Sequence, residues 1–143
     1  MTDIVIIPMR EHSKGIRNKN IFRFNNGLTS LEMLKKVLKK LDDVDIYVST
    51  ESTLIKKFAN SVGIKVLMRS LELGNDEATI DDVVEDLMMN PIIDYYQNIW
   101  IIQATCPLIS LKSLKIIRET LNSNLEIDTV FSAREVKAFI WET

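Results

Sequence analysis

Short apolar runs alternate with segments of helical spacing along these 143 residues, and that alternation restricts the chain more than any other feature. It is the pattern of strands joined through helices into a parallel sheet. The first run, Ile4 to Ile7, has no polar interruption and reads as a strand buried on both faces. Further strands are predicted at 45–50, 64–68, 99–103 and 129–133, with the first at 3–7. Thr29-Ser30-Leu31-Glu32 is a capping box that opens a helix carrying Leu31, Leu34, Leu38 and Leu41. Leu54, Ile55, Phe58, Ala59 and Val62 form the stripe of a second helix, which Gly63 is placed to cap. Ile80, Val83, Val84, Leu87 and Met88 mark a third helix, stopped by Pro91. Ser110 caps a fourth with Leu111, Leu114, Ile117 and Leu121 on its apolar face. The expectation is an α/β fold, a three-layer αβα Rossmann-like domain with a mainly parallel sheet, occupying residues 1–143 as one domain.

A content of 46% hydrophobic residues is enough for one real core. No apolar run approaches the roughly 20 residues of a membrane span, and the first ten residues lack the form of a signal peptide. A cytoplasmic protein is therefore expected, and one cysteine, Cys106, which cannot make an internal disulfide, fits a reducing compartment. The net charge of -2 conceals an asymmetry: residues 1–40 hold nine Lys/Arg against three Asp/Glu. That basic end has no aromatic-interleaved RNA motif and no zinc spacing, and Lys35, Lys36, Lys39 and Lys40 lie on the polar side of a helix, so no nucleic-acid partner is expected.

The other basic residues concentrate in one loop. After the first strand come Arg10, Lys14, Arg17 and Lys19, with Ser13 and a lone Gly15 between them. Backbone N–H groups, the Ser13 hydroxyl and the side chains of Arg10, Lys14 and Lys19 suit a polyphosphate, the plainer alternative being a solvated surface loop. The four glycines stand at 15, 27, 63 and 74, too far apart for a dinucleotide fingerprint, and the second glycine of a Walker A loop is missing. In open parallel sheets ligands bind beyond the C-terminal ends of the strands. The loops after the first, third and fourth strands should converge there.

Ile6-Ile7-Pro8-Met9-Arg10-Glu11-His12-Ser13-Lys14-Gly15-Ile16-Arg17-Asn18-Lys19-Asn20 resembles the opening motif of the acylneuraminate cytidylyltransferases, which make CMP-sialic acid and related CMP-nonulosonates. Val48-Ser49-Thr50-Glu51 resembles that family's V-S-T-D, Arg69 with Glu72-Leu73 its R-P-x-E-L, and Ile102 to Leu108 its L-Q-P-T-S-P-L. The resemblance implies a nucleotidyltransferase domain that transfers CMP from CTP to a nonulosonic acid sugar and releases pyrophosphate. It implies triphosphate contacts from Arg10 and Lys19, both assigned to catalysis, with Lys19 beside the reacting phosphoryl group. It further implies nucleotide binding by Ser13, Lys14, Gly15, Asn20, Arg69, Ala78, Thr79 and Gln103. Local alternatives for three of these are backbone capping by Asn20, a similar local role for Gln103, and an ion pair from Arg69 to Glu72. His12 reads as an incidental loop residue, Cys106 as a small buried one, and Asp81, Asp82, Glu85 and Asp86 as a solvated helix face rather than a metal site.

The pattern is departed from at Ala104, where the family has proline, at Ile109 and Leu28, where it has basic residues, and at Ile80, where it has serine. The resemblance also implies Mg²⁺, but the family's metal aspartates, much of its sugar pocket and its dimerising arm would lie beyond Thr143. No metal ligand is therefore assigned here, and a homodimer would lack that arm. The apolar segment Val136 to Trp141, close to the end, gives the chain an interrupted look, and weak activity or none is expected of it alone. Two other readings stand beside this one: a cytidylyltransferase for another keto sugar acid, and a non-catalytic nucleotide-binding or assembly module.

Overall fold

Asp3–Pro8 (β1), Val44–Thr50 (β2), Lys65–Met68 (β3) and Ile99–Ile101 (β4) form one parallel sheet in the order β3-β2-β1-β4. They belong to a computed structural model that describes residues 2–11 and 19–133. β1 is central, paired with β2 from Asp3↔Val44 to Pro8↔Ser49 and with β4 from Ile4↔Ile99 to Ile6↔Ile101. Ile4 to Ile7 are fully buried, as a strand covered on both faces requires.

The helices are Ser30–Leu38 (α1), Thr53–Ser61 (α2), Ile80–Met88 (α3) and Leu111–Ser123 (α4). By the right-handed rule for parallel crossovers, the connections from β1 to β2 to β3 place α1 and α2 on one face, and the return from β3 to β4 places α3 on the other. On that second face Ile4, Ile6 and Tyr47 pack with Leu87 of α3 and with Ile93, which lies in the 3-10 turn Pro91–Tyr95. The three-layer α/β architecture expected from the alternation is present. The chain divides into two compact units, Met1–Leu111 and Lys112–Thr143, and the sheet lies in the first. The described part of the second is most of α4 and the irregular stretch after it.

Several expectations need correction. Residues 129–133 form no strand, because β-branched and aromatic residues make one only where a sheet edge accepts their backbone bonds. β4 stops at Ile101, which leaves Gln103 in the following loop rather than on the strand. Leu54 is exposed while Ile55 and Ala59 are buried, and Ile80 and Met88 are exposed while Val83 and Leu87 are buried. Nine-residue helices turn a narrow i, i+4 stripe to the sheet, and the flanking apolar positions rotate outward. Gly63 has φ +67, the left-handed conformation expected of a residue that closes α2. The segment Val136 to Trp141 lies outside the described residues. No helix of the described residues is long and apolar enough to cross a membrane.

Candidate nucleotide site

The strand order reverses between β1 and β4, since the chain runs outward through β2 and β3 and then returns to the other side of β1. At that point a hollow of about 260 Å³ opens, lined by residues that follow β1, β3 and β4 and by the start of α3. Arg10, Lys19, Asn20, Arg69, Ala78, Thr79 and Gln103 all line it. Seven residues singled out from the sequence therefore meet at one place. Ser13, Lys14 and Gly15, together with His12, lie outside the described residues.

Each of these side chains has a defined setting. Arg10 Nη1 donates to the Asn75 carbonyl at 3.0 Å and pairs with Asp76 Oδ1 at 3.1 Å. Lys19 stands in the 3-10 turn Lys19–Ile21 and has no side-chain partner among the described residues. Asn20 is buried, and its Nδ2 donates to the Arg10 carbonyl at 2.8 Å. It thereby ties the two sides of the basic loop together across ten residues. Gln103 Oε1 accepts from the Thr105 hydroxyl at 3.3 Å.

Arg69 is the most constrained. Its Nε and Nη2 donate to Glu51 Oε2 at 3.1 and 2.8 Å, and both side chains are almost wholly buried, at 4% and 8% exposure. Glu51, not Glu72, is its ionic partner. Arg69 Nη1 is buried and has no acceptor among the described residues. A buried donor left without a partner costs about 1–3 kcal/mol, so this atom is the one donor of the guanidinium that a water or a ligand acceptor would satisfy.

Thr79 and Ala78 owe their places to the backbone. Thr79 caps α3: its hydroxyl accepts from the Asp82 N–H at 3.2 Å and donates to Asp82 Oδ2 at 2.8 Å. The Thr79 backbone N–H, then its hydroxyl, holds the Asp82 carboxyl below the ordinary carboxylate value. Asp81, Asp82, Glu85 and Asp86 are exposed, as expected of a solvated face. Ala78 donates its N–H to Asn75 Oδ1 at 2.7 Å in a side-chain-closed turn. Cys106 is exposed, not buried as expected, because it falls in the turn after β4, where its N–H donates to the Gln103 carbonyl.

Glu51, Asn75 and Asp76 shape the hollow without having been singled out as site residues. Glu51 ends the Val48-Ser49-Thr50-Glu51 stretch, and an acidic residue directly after a buried strand was the available signal. Among the described residues the hollow has one carboxylate in its lining, Asp76, already paired with Arg10. Among the described residues no three His, Cys, Asp or Glu side chains gather as a metal site. These residues do not by themselves fit a magnesium ion.

A cation-walled hollow at the switch point of a parallel sheet is the build of the nucleotide-handling α/β proteins. The chain belongs to the cytidylyltransferase family, whose sequence pattern matches residues 4–139. It is 33% identical over 141 residues to the N-acylneuraminate cytidylyltransferase of Streptococcus agalactiae serotype V, a match covering 96% of this chain and 33% of the relative. It is 29% identical over 104 residues to the N-acylneuraminate cytidylyltransferase of Escherichia coli O18:K1:H7, covering 73% of this chain and 24% of that one. In three dimensions it is similar to a CMP:2-keto-3-deoxy-manno-octonic acid synthetase complexed with CTP, with a TM-score of 0.69 at 15% identity, over 87% of this chain and 48% of the other. The chain thus spans about a third of the length of the first of these curated relatives and about a quarter of the second.

Proposed function

We propose that this chain holds CTP in the hollow beyond β1 and β4, as the nucleotide-binding part of a cytidylyltransferase that transfers CMP to an acylneuraminate-type sugar acid, in the cytoplasm. The observation that carries this reading is the set of cationic side chains lining one hollow: Arg10, Lys19 and Arg69, whose buried Nη1 has no partner among the described residues. The 33% identity to an N-acylneuraminate cytidylyltransferase supports the sugar class.

In the reaction a hydroxyl oxygen of the sugar acid attacks the α-phosphorus of CTP. A new P–O bond forms, the bond to the β-phosphate oxygen breaks, pyrophosphate leaves and the hydroxyl proton is released. Catalysis of this kind rests on positioning and on fixed charge near the oxygens that gain it. Lys19, with no competing partner among the described residues, stabilises the leaving pyrophosphate. Arg10 exchanges Asp76 for a phosphate oxygen, and Arg69 Nη1 donates to an acceptor on the nucleotide. Asn20, buried and bonded to the Arg10 carbonyl, holds Arg10 and Lys19 near one another for the triphosphate.

Titration calorimetry with CTP, ATP and GTP tests the reading. CTP should bind more tightly than either purine nucleotide, because each charge-assisted contact contributes about 1.5–3 kcal/mol and the base must fit the same cleft. Equal binding of all three, or none, defeats it.

A further inference from the structure

We propose that Glu51 is a positioning residue that couples the two walls of the hollow, one oxygen setting the Arg69 guanidinium and the other the start of the basic loop. The inference rests on the nucleotide reading above for its functional meaning. Oε2 accepts from Arg69 Nε and Nη2, while Oε1 accepts from the Glu11 backbone N–H at 2.9 Å. Glu11 immediately precedes residues 12–18. Its own carboxylate accepts from the Ser52 hydroxyl, the side chain that caps α2, so the start of the loop is held by backbone and side chain together. One carboxylate thus touches the residues after β1 and β3 at once, from the end of β2 between them.

Gly74 completes the arrangement. A Cβ there would stand 2.5 Å from both Cγ and Cδ of Glu51 and 2.7 Å from its Oε1. Such distances are far inside contact range, so any side chain at 74 would force Glu51 aside. This chain has glutamate where the similar V-S-T-D motif has the shorter aspartate, and the absent side chain at 74 leaves room for the extra methylene. With Nε and Nη2 fixed on Oε2, the planar guanidinium has one orientation, and Nη1 is the donor left over.

Glutamine at 51 separates the two tasks, because an amide has one acceptor oxygen. It can serve Arg69 or the Glu11 N–H but not both. In this chain Glu51→Gln should raise the CTP dissociation constant by about tenfold or more. In the Arg69→Gln background the same change should add less than about threefold, because both changes disable one unit. Gly74→Ala keeps every charge and should also weaken binding. Adding Glu51→Asp to Gly74→Ala should recover part of the loss, and this pair decides the matter if Glu51→Gln does not fold. Affinity within about twofold of wild type for a folded Glu51→Gln or for Gly74→Ala, additive losses with Arg69→Gln, or no recovery in the pair overturns the coupling.

Hydrogen exchange at the Glu11 amide and the NMR signal of Arg69 Nε–H provide a readout without nucleotide. Both should change together in Glu51→Gln, or in Gly74→Ala, and independent behaviour overturns the coupling. If wild type binds no CTP while these two signals move together, the nucleotide reading fails and the coupling stands. If CTP binds and neither signal nor affinity responds, the reverse holds.

Discussion

Asp76 holds Arg10 at 3.1 Å with 45% of its own side chain in solvent, and ion pairs so exposed contribute about 0–1 kcal/mol. A triphosphate carries more charge than one carboxylate and replaces it at little cost. Asp76→Asn should therefore change the CTP dissociation constant by less than about fivefold, the factor equivalent to about 1 kcal/mol. A larger effect in calorimetry would show that Asp76 itself engages the ligand. Lys19 differs, because no described side chain competes for its charge. In any form of the enzyme that turns over, Lys19→Ala should cost about a hundredfold to a thousandfold in kcat, as loss of one preorganised donor at a reacting centre does. Lys14→Ala should cost less. Wild-type kcat in both variants would remove the role given to Lys19.

Two helix starts show what local sequence can and cannot reveal. At α1 the Thr29 hydroxyl accepts from the Glu32 N–H at 3.2 Å and the Glu32 carboxylate accepts from the Thr29 N–H at 2.9 Å, as the capping-box pattern predicts. At α3 the same reciprocal pair joins Thr79 and Asp82, with the shorter Asp at the third helical position where the pattern has Glu or Gln. Strands were legible where apolar runs lie inside the sheet, and the run at 129–133 misled because apolar content alone does not supply a partner. Thr29→Ala should destabilise the fold by about 0.5–2 kcal/mol in denaturant unfolding near neutral pH. The Glu32 carboxyl lies below its ordinary value of 4.5, chiefly through the Thr29 N–H. Its contribution is complete above that value and disappears as pH falls through the lowered folded one. Glu32→Gln should flatten this acid limb, whereas Thr29→Ala, which keeps the N–H, should leave much of it. At the other end of the sheet Tyr96 donates to Asp45 at 2.7 Å and is the main reason that the Asp45 carboxyl titrates low. Tyr96→Phe should move the Asp45 titration upward, read by NMR, and an unmoved titration would refute that cause.

For the whole molecule, the residues of the candidate site that the sequence pointed to lie beside strand ends, Arg10, Lys19 and Asn20 after β1, Arg69 after β3 and Gln103 after β4, and at the start of α3, Ala78 and Thr79. Their partners were hidden, because Glu51 meets Glu11 across 40 residues and Arg10 meets the Asn75 carbonyl across 65, and no periodicity records such contacts. On the proposed reading these residues serve one side of the reaction. Among the described residues the hollow has cationic donors but one lining carboxylate, Asp76, which is held by Arg10, and no cluster gathers a metal. Orienting a second reactant can supply about 7–11 kcal/mol of a barrier and a metal several more, so a chain that binds CTP without either should lie many decades below ordinary turnover. The 143-residue chain, given CTP, Mg²⁺ and a nine-carbon keto sugar acid, should therefore bind the nucleotide and release almost no pyrophosphate. A coupled pyrophosphate assay checks this: sugar-dependent turnover of about 1 per second or faster would mean that these residues suffice for the whole reaction.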